Sequence, residues 1–282
     1  MRGIIVKAIS GFYYVESDGQ TFECKARGVF KNRGITPLVG DHVMFEPGMV
    51  NEILPRKNSF ERPPVANVDT LVIVMAGAQP DPSFEILDKF IVTAESLHAD
   101  VVLCINKCDI TSKEIINKFK SIYSDIYPIY FVSAKTGEGI AELKASMLNK
   151  QFAFAGPSGV GKSSLTNIFL EKSETEVGEI SQKSLRGKNT TRHTQLFKAE
   201  GYQIFDTPGF TSFDANLDDE HELENLFPEF KPYLGLCRFD DCRHLEEPEC
   251  AIRKALLDEK ISESRYNSYK DLYKYIVENR RY

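Results

Sequence analysis

The sequence predicts a multidomain α/β protein in three units, and three observations carry that prediction. Five short strand patterns fill residues 1–58, apolar strand runs alternate with helix-period segments from residue 67, and the chain beyond Asp214 turns helical around a Cys/His cluster. The expected units are a small β-barrel over 1–65, a mostly parallel α/β domain over 66–213 and a helical metal-binding unit over 214–282. A chain of 282 residues is long enough for two or three domains.

In the first unit GIIVKAIS, FYYVES, QTFECKARG, HVMFEP and MVNEIL are strand-like, and SDGQ, NRG, LVGD and EPGM are turn signals between them. Five strands in so short a stretch suggest a barrel. Residues 1–65 hold nine Lys+Arg against seven Asp+Glu. Lys7, Lys25, Arg27, Lys31, Arg33, Arg56, Lys57 and Arg62 are interleaved with Phe12, Tyr13, Tyr14, Phe22 and Phe30. Basic side chains beside stacking aromatics suit RNA on an OB-type face; for any single residue, core aromatic or solvated charge is the plainer reading. NSFERPPVA is expected to be a linker, because Pro63-Pro64 cannot continue a ladder.

In the second unit DTLVIVMAGA, ADVVLCINKCD, YPIYFVSAKTG and QFAFAG are strands, and the helix patterns SFEILDKFIVTAESLHA, TSKEIINKFKSIY, GIAELKASMLN and GKSSLTNIFL follow them in turn. HTQLFKAEG and YQIFDTPG are a strand pair. Gly156-Pro157-Ser158-Gly159-Val160-Gly161-Lys162-Ser163, followed by Ser164, matches the phosphate-loop pattern G-x-x-x-x-G-K-[ST] between a strand and a helix. Glycines let backbone N–H groups turn inward around a phosphate chain, and the helix adds its positive end. Lys162 is expected on the β- and γ-phosphates and Ser163 on Mg²⁺.

Asn106-Lys107-Cys108-Asp109 ends one strand and Ser133-Ala134-Lys135 the next. The Asp109 carboxylate can accept from both N1–H and the 2-amino group of guanine, a donor pair that adenine lacks, and sites built on such pairs reject the wrong ligand strongly. Ser133-Ala134-Lys135 is expected at the guanine O6 edge. Asp206-Thr207-Pro208-Gly209 ends YQIF. Asp206 is expected to hold Mg²⁺ through water, and the Gly209 N–H to sense the γ-phosphate. Thr190-Thr191-Arg192 lies in a polar stretch, where Thr191 would join Mg²⁺ once the γ-phosphate is bound.

In the third unit Cys237, Cys242, His244 and Cys250 supply three thiolates and an imidazole, the donor set of a closed, structural Zn²⁺ site, one ion per chain. Cys24, Cys104 and Cys108 fit no metal spacing, and Cys104 is expected in the core.

These motifs resemble those of translation-associated GTPases in an unusual order, with NKCD and SAK ahead of the phosphate loop. A circularly permuted P-loop GTPase with an OB-like barrel before it and a Cys/His cluster after it closely resembles the ribosome small subunit-dependent GTPase A family (RsgA, also YjeQ). VGDHV, RPPVANVDT and SRYNSY extend the likeness over nearly the whole chain. The resemblance implies GTP hydrolysis to GDP in late maturation of the small ribosomal subunit, stimulated by that subunit, with rRNA as partner. In permuted GTPases of this kind a His just before the Thr pair is thought to position the attacking water, whereas this chain has Asn189 there and His193 beyond it; Phe210 stands where many GTPases have Gln. Asn189, Thr191, His193 and Asp206 are therefore the catalytic candidates. Two other readings stay open: a nucleotide-gated RNA-binding module with negligible turnover, and a GTPase acting on another RNA. No apolar run approaches the roughly 18 residues of a membrane span, and MRGIIVKAIS shows no signal-peptide pattern. A cytoplasmic monomer is expected, without membrane partners.

Overall fold

The computed structural model describes residues 1–32, 34–170, 194–199, 201–206 and 220–279. The five expected N-terminal strands are present: β1 (Arg2–Ile9), β2 (Phe12–Ser17), β3 (Gln20–Ala26), β4 (His42–Glu46) and β5 (Gly48–Ile53). They pair antiparallel from β1 to β2 to β3, then β3 runs parallel to β5, β5 pairs with β4, and β4 returns to β1. That return closes an OB-like barrel around Ile5, Val15, Cys24, Val43, Phe45 and Val50, each at most 1 % exposed. A short helix, α1 (Gly28–Asn32), joins β3 to β4 where the sequence shows only turn signals, and its Phe30 is buried. Phe22 packs on Phe45 with centroids 5.3 Å apart. Phe22 and Phe30 therefore serve the interior rather than a stacking surface.

The expected linker is ordered. β6 (Ser59–Phe60) and β7 (Val65–Ala66) form a small antiparallel ribbon with the Pro-Pro pair at its turn, and Val65 and Ala66 are fully buried. Ala66 N–H donates to Val39 O at 2.9 Å, fastening the ribbon to the barrel.

The central sheet contains β8 (Thr70–Ala76), β9 (Asp100–Asn106), β10 (Ile129–Phe131), β11 (Gln151–Ala155), β12 (Gln195–Ala199) and β13 (Tyr202–Asp206). Its order is β10-β9-β8-β11-β13-β12, all parallel except β12. Every residue of β8 is buried, which is why it reads as a continuous apolar run rather than an alternating one. Helices α2 (Phe84–Ser96), α3 (Lys113–Tyr123), α4 (Ile140–Ser146) and α5 (Lys162–Leu170) connect the strands. Ser83 and Ser112 cap α2 and α3 by accepting from the N–H groups of Ile86 and Ile115, both at 3.3 Å. The sheet does not stop at β12: Lys7 of β1 is in register with Gln195, so one sheet runs on into the barrel.

The C-terminal region consists of two 3₁₀ turns (Leu223–Leu226 and Pro228–Tyr233) and helices α6 (Ala251–Leu257) and α7 (Glu263–Asn279). Its core of Phe227, Phe230, Ile252, Tyr266, Tyr269 and Leu272 also takes in Val92 of α2. At that junction the fully buried Arg265 of α7 pairs with Asp88 of α2 at 2.7 Å and with Glu229 at 2.6 Å.

Candidate functional site

The strands that carry the motifs are parallel, so their C-terminal ends share one edge of the sheet, the usual location of ligand sites in open α/β sheets. Ala155 of β11 leads into the phosphate loop, Asn106 ends β9, and Asp206 lies one residue past the Ala153–Phe205 register pair.

Asn106 joins three motifs. It is 2 % exposed, its Nδ2 donates to Val160 O at 2.8 Å, and its Oδ1 accepts from Ala134 N–H at 3.0 Å. Gly161 packs so close that a Cβ there would stand 2.2 Å from Asn106 Nδ2, and its φ of 100° is in the region that favours glycine. Asp109 is 16 % exposed in its side chain; its Oδ1 accepts from Ser133 Oγ at 2.8 Å and its Oδ2 lies 4.0 Å from Lys135 Nζ. The carboxylate is thus oriented by the buried Ser133. Lys107 donates to Gly159 O at 2.8 Å and also to Gln79 O. Cys108 turns the other way: its Sγ lies 3.2 Å from Ile105 O and packs against the core, and burial pushes its thiol up to about 11.

In the phosphate loop Lys162 donates to Gly156 O and Pro157 O, both at 2.7 Å, and burial lowers its ammonium to about 8. Ser158, Ser163 and Ser164 are exposed and Val160 is buried. Burial pushes the Asp206 carboxyl above its usual value. Thr191, Asn189, His193 and Gly209, with Thr190, Arg192 and Phe210, lie outside the described residues.

Cys237, Cys242, His244 and Cys250 converge, with ligand atoms all within 4.8 Å of one another. His244 Nδ1 is 3.5 Å from Cys237 Sγ and 3.4 Å from Cys250 Sγ, and the two sulfurs are 3.9 Å apart. Zinc bonds of about 2.3 Å to sulfur and 2.0–2.1 Å to nitrogen imply tetrahedron edges of roughly 3.5–3.8 Å, close to the separations among Cys237, His244 and Cys250. Glu224 Oε2 lies 2.8 Å from His244 Nε2 and leaves Nδ1 to face the thiols. No spacing rule could have singled out Glu224, which lies twenty residues before His244. Cys24 and Cys104 are buried core residues.

Of the basic barrel residues, Arg56 is committed to structure: its guanidinium holds the buried Asp41 at 2.7 and 2.8 Å. Lys25 lies 5.0 Å from the Phe12 ring centroid and Lys7 5.9 Å from that of Tyr14.

The family model described as RsgA GTPase matches residues 53–216, and that of the RsgA N-terminal domain matches residues 2–52. The chain belongs to the RsgA GTPase family. RsgA proteins named small ribosomal subunit biogenesis GTPase are similar over its whole length. That of Alkaliphilus metalliredigens is 42 % identical over 100 % of this chain and 99 % of its own. That of Clostridium acetobutylicum is 42 % identical over 96 % of each. Among solved structures, YjeQ from Thermotoga maritima superposes with a TM-score of 0.85 at 37 % identity, covering 99 % of both chains. YloQ, described as a circularly permuted GTPase, gives 0.82 at 33 % identity, covering 100 % of this chain and 96 % of its own. The RsgA fold accounts for the permuted motif order: α4 feeds directly into β11 while the site stays assembled across the sheet edge.

Proposed function

We infer that this chain is a GTPase acting in small ribosomal subunit biogenesis. The observation that carries the reading is full-length similarity to proteins of that name, combined with base-reading and phosphate-loop motifs that meet at Asn106. GTP is cleaved to GDP and phosphate. Asp109 reads the guanine edge, Lys162 holds the β- and γ-phosphates, and Gly209 N–H senses the γ-phosphate. Ser163, Asp206 and Thr191 hold Mg²⁺, which supplies charge stabilisation at the phosphates, and Asn189 or His193 orients the water. One structural Zn²⁺ sits among Cys237, Cys242, His244 and Cys250. The working units are 1–65, 66–213 and 214–282, with rRNA on the outer face of the barrel around Lys7, Phe12, Tyr14 and Lys25, and the protein acts as a cytoplasmic monomer. Among the described residues no helix is long and apolar enough to cross a membrane.

The test is GTP turnover with purified small subunits titrated in. Stimulation with a saturating dependence supports the reading. An unchanged rate favours the slow nucleotide-gated RNA binder, for which Phe210, unable to orient water, and Asn189 in place of a His are the sequence argument.

A further inference from the structure

Pairing across four strands sets residues from distant parts of the chain in one row. Tyr14 of β2 is in register with Lys7 of β1, Lys7 with Gln195 of β12, and Gln195 with Asp206 of β13. All three pairings are antiparallel, so the opposed side chains project to the same face, with Cβ atoms about 4.5–5.5 Å apart at each step. A bulge in β1 between Ile5 and Lys7 sets this register: Ile5 lies opposite Val15 in the barrel core, and Lys7 opposite Tyr14. All four members of the row are half-buried. The row runs from the outer face of the barrel to the aspartate proposed to hold Mg²⁺.

What packs on the sheet identifies the face. Phe197, two residues along β12 from Gln195, and Tyr202 and Ile204, which alternate with Asp206 on β13, pack with Leu165 and Phe169 of α5. Leu196 and Phe205, on the opposite face, belong to the core shared with the barrel. Gln195 and Asp206 thus stand on the side of the sheet covered by the phosphate-loop helix.

A glutamine amide has an accepting oxygen at one end and a donating NH₂ at the other. Between an ammonium and a carboxylate, one orientation satisfies both ends: Oε1 towards Lys7 and Nε2 towards Asp206. Lys7 Nζ lies 5.9 Å from the Tyr14 ring centroid, which keeps the ammonium on this face. Among the described residues no other side chain hydrogen-bonds the Gln195 amide or the Asp206 carboxylate. A carboxylate that serves a metal needs such an outer partner to fix its direction. We propose that Gln195 is a positioning residue for Asp206: its amide donates to the carboxylate and aims it, and Lys7 of the barrel sets which way round the amide stands. The proposal rests on Asp206 being a magnesium residue. Charge on the barrel face is then felt at the metal site through one side chain.

The experiment reads binding rather than turnover. Retention of a ribose-labelled, non-hydrolysable GTP analogue by the full-length protein is followed as Mg²⁺ is titrated, with no RNA present. Gln195→Met keeps the side-chain length and removes the amide. The half-saturating Mg²⁺ concentration rises about tenfold, as for the loss of one hydrogen bond to a charged group, while affinity for the analogue without added Mg²⁺ stays within about twofold, because Asp206 acts through the metal. Lys7→Glu puts an acceptor beside the amide, competes for its donor end and raises the Mg²⁺ requirement about threefold; in the Gln195→Met background it adds nothing, because it acts through the amide. Lys198→Met breaks the ion pair with Glu16 that also joins β12 to the barrel, but from the opposite face, and leaves the Mg²⁺ requirement unchanged. If Gln195→Met does not fold, Gln195→Ala takes its place. An unchanged Mg²⁺ requirement in the Gln195 variant, an equal rise in Lys198→Met, or an effect of Lys7→Glu that persists without the amide overturns the proposal. Asp206→Ala serves as the separate control: an unchanged Mg²⁺ requirement there overturns the magnesium reading itself. A raised requirement in Asp206→Ala together with an unchanged one in the Gln195 variant overturns only the role of Gln195.

Discussion

In the proposed site, Asp109 and Lys162 divide the work of holding a nucleotide between shape and charge. The Asp109 carboxylate is oriented by Ser133 Oγ at 2.8 Å, so Asp109→Asn changes hydrogen-bond polarity without disturbing packing. GDP affinity is expected to fall by one to two orders of magnitude, in line with about 1.5–3 kcal/mol for a hydrogen bond to a charged group, with a relative gain for xanthosine diphosphate. Titration of the two nucleotides measures this. Lys162 brings a pH dependence, because burial lowers it to about 8. A bound phosphate favours the protonated ammonium, so binding takes up a proton wherever the free protein has lost it. Affinity is therefore flat below pH 8 and falls above it. The Kd for GDP is expected to rise roughly five- to tenfold between pH 7.5 and 9, and a flat Kd over that window removes Lys162 from the phosphates. Stability carries the opposite sense. An unfolded chain with Lys162 at its ordinary value of 10.5 binds more protons than the folded one between about 8 and 10.5, so this group's contribution to stability rises with pH there.

Helix α7 and the metal cluster hold the C-terminal region by different means. Arg265 is sealed between Asp88 and Glu229 and lies 4.6 Å from the Phe227 ring centroid. Arg265→Met leaves two buried carboxylates without their cation, a loss of about 3–5 kcal/mol. Hydrogen exchange should show protection lost in α7 while β8 and β9 stay protected; unchanged protection in α7 rejects this role. The cluster acts within the region itself. Tyr266 and Tyr269 donate to His244 O and Arg243 O at 2.7 and 2.9 Å, which ties α7 to the loop that carries His244. Cys242→Ser, or removal of zinc by a chelator, is expected to expose residues 220–279 to proteolysis and to leave unstimulated GDP binding within threefold of the parent. Freshly purified protein without zinc in elemental analysis would falsify the zinc assignment.

At the scale of the whole molecule, the continuous sheet decides how the barrel can be tested. β12 lies between β13, which ends at Asp206, and β1 of the barrel, and Lys198 of β12 pairs with Glu16 of β2. Deleting the barrel would bare the edge of β12, an invitation to aggregation. Charge reversal tests the proposed RNA face without that damage. Lys7→Glu with Lys25→Glu is expected to raise the subunit concentration giving half-maximal stimulation and to reduce the salt slope of binding by about two. Wild-type stimulation in the double variant would move the RNA contact elsewhere.

The sequence by itself determined what depends on near neighbours along the chain. The phosphate-loop and base-reading motifs and the Cys/His cluster are short patterns whose chemistry is set by residue type and spacing. The five barrel strands and the strand–helix alternation follow from hydrophobic period. Tertiary structure alone decided what depends on distant partners. Asn106 meets Val160 across 54 residues, and Arg265 meets Asp88 across 177. A strand pattern in the first unit does not reveal that β1 continues the central sheet, because edge pairing leaves no periodic mark. The Pro-Pro segment reads as a linker but is an ordered ribbon, since its buried Val65 and Ala66 pair with β6 and are fastened to the barrel by the distant Val39. Arg56 reads as a surface charge until Asp41 is seen beneath it, and the turn at Gln79 reads as an ordinary loop until Lys107 reaches it. Composition and spacing record what a residue can do; which group it does it with is settled only when packing brings separate stretches of chain within bonding distance.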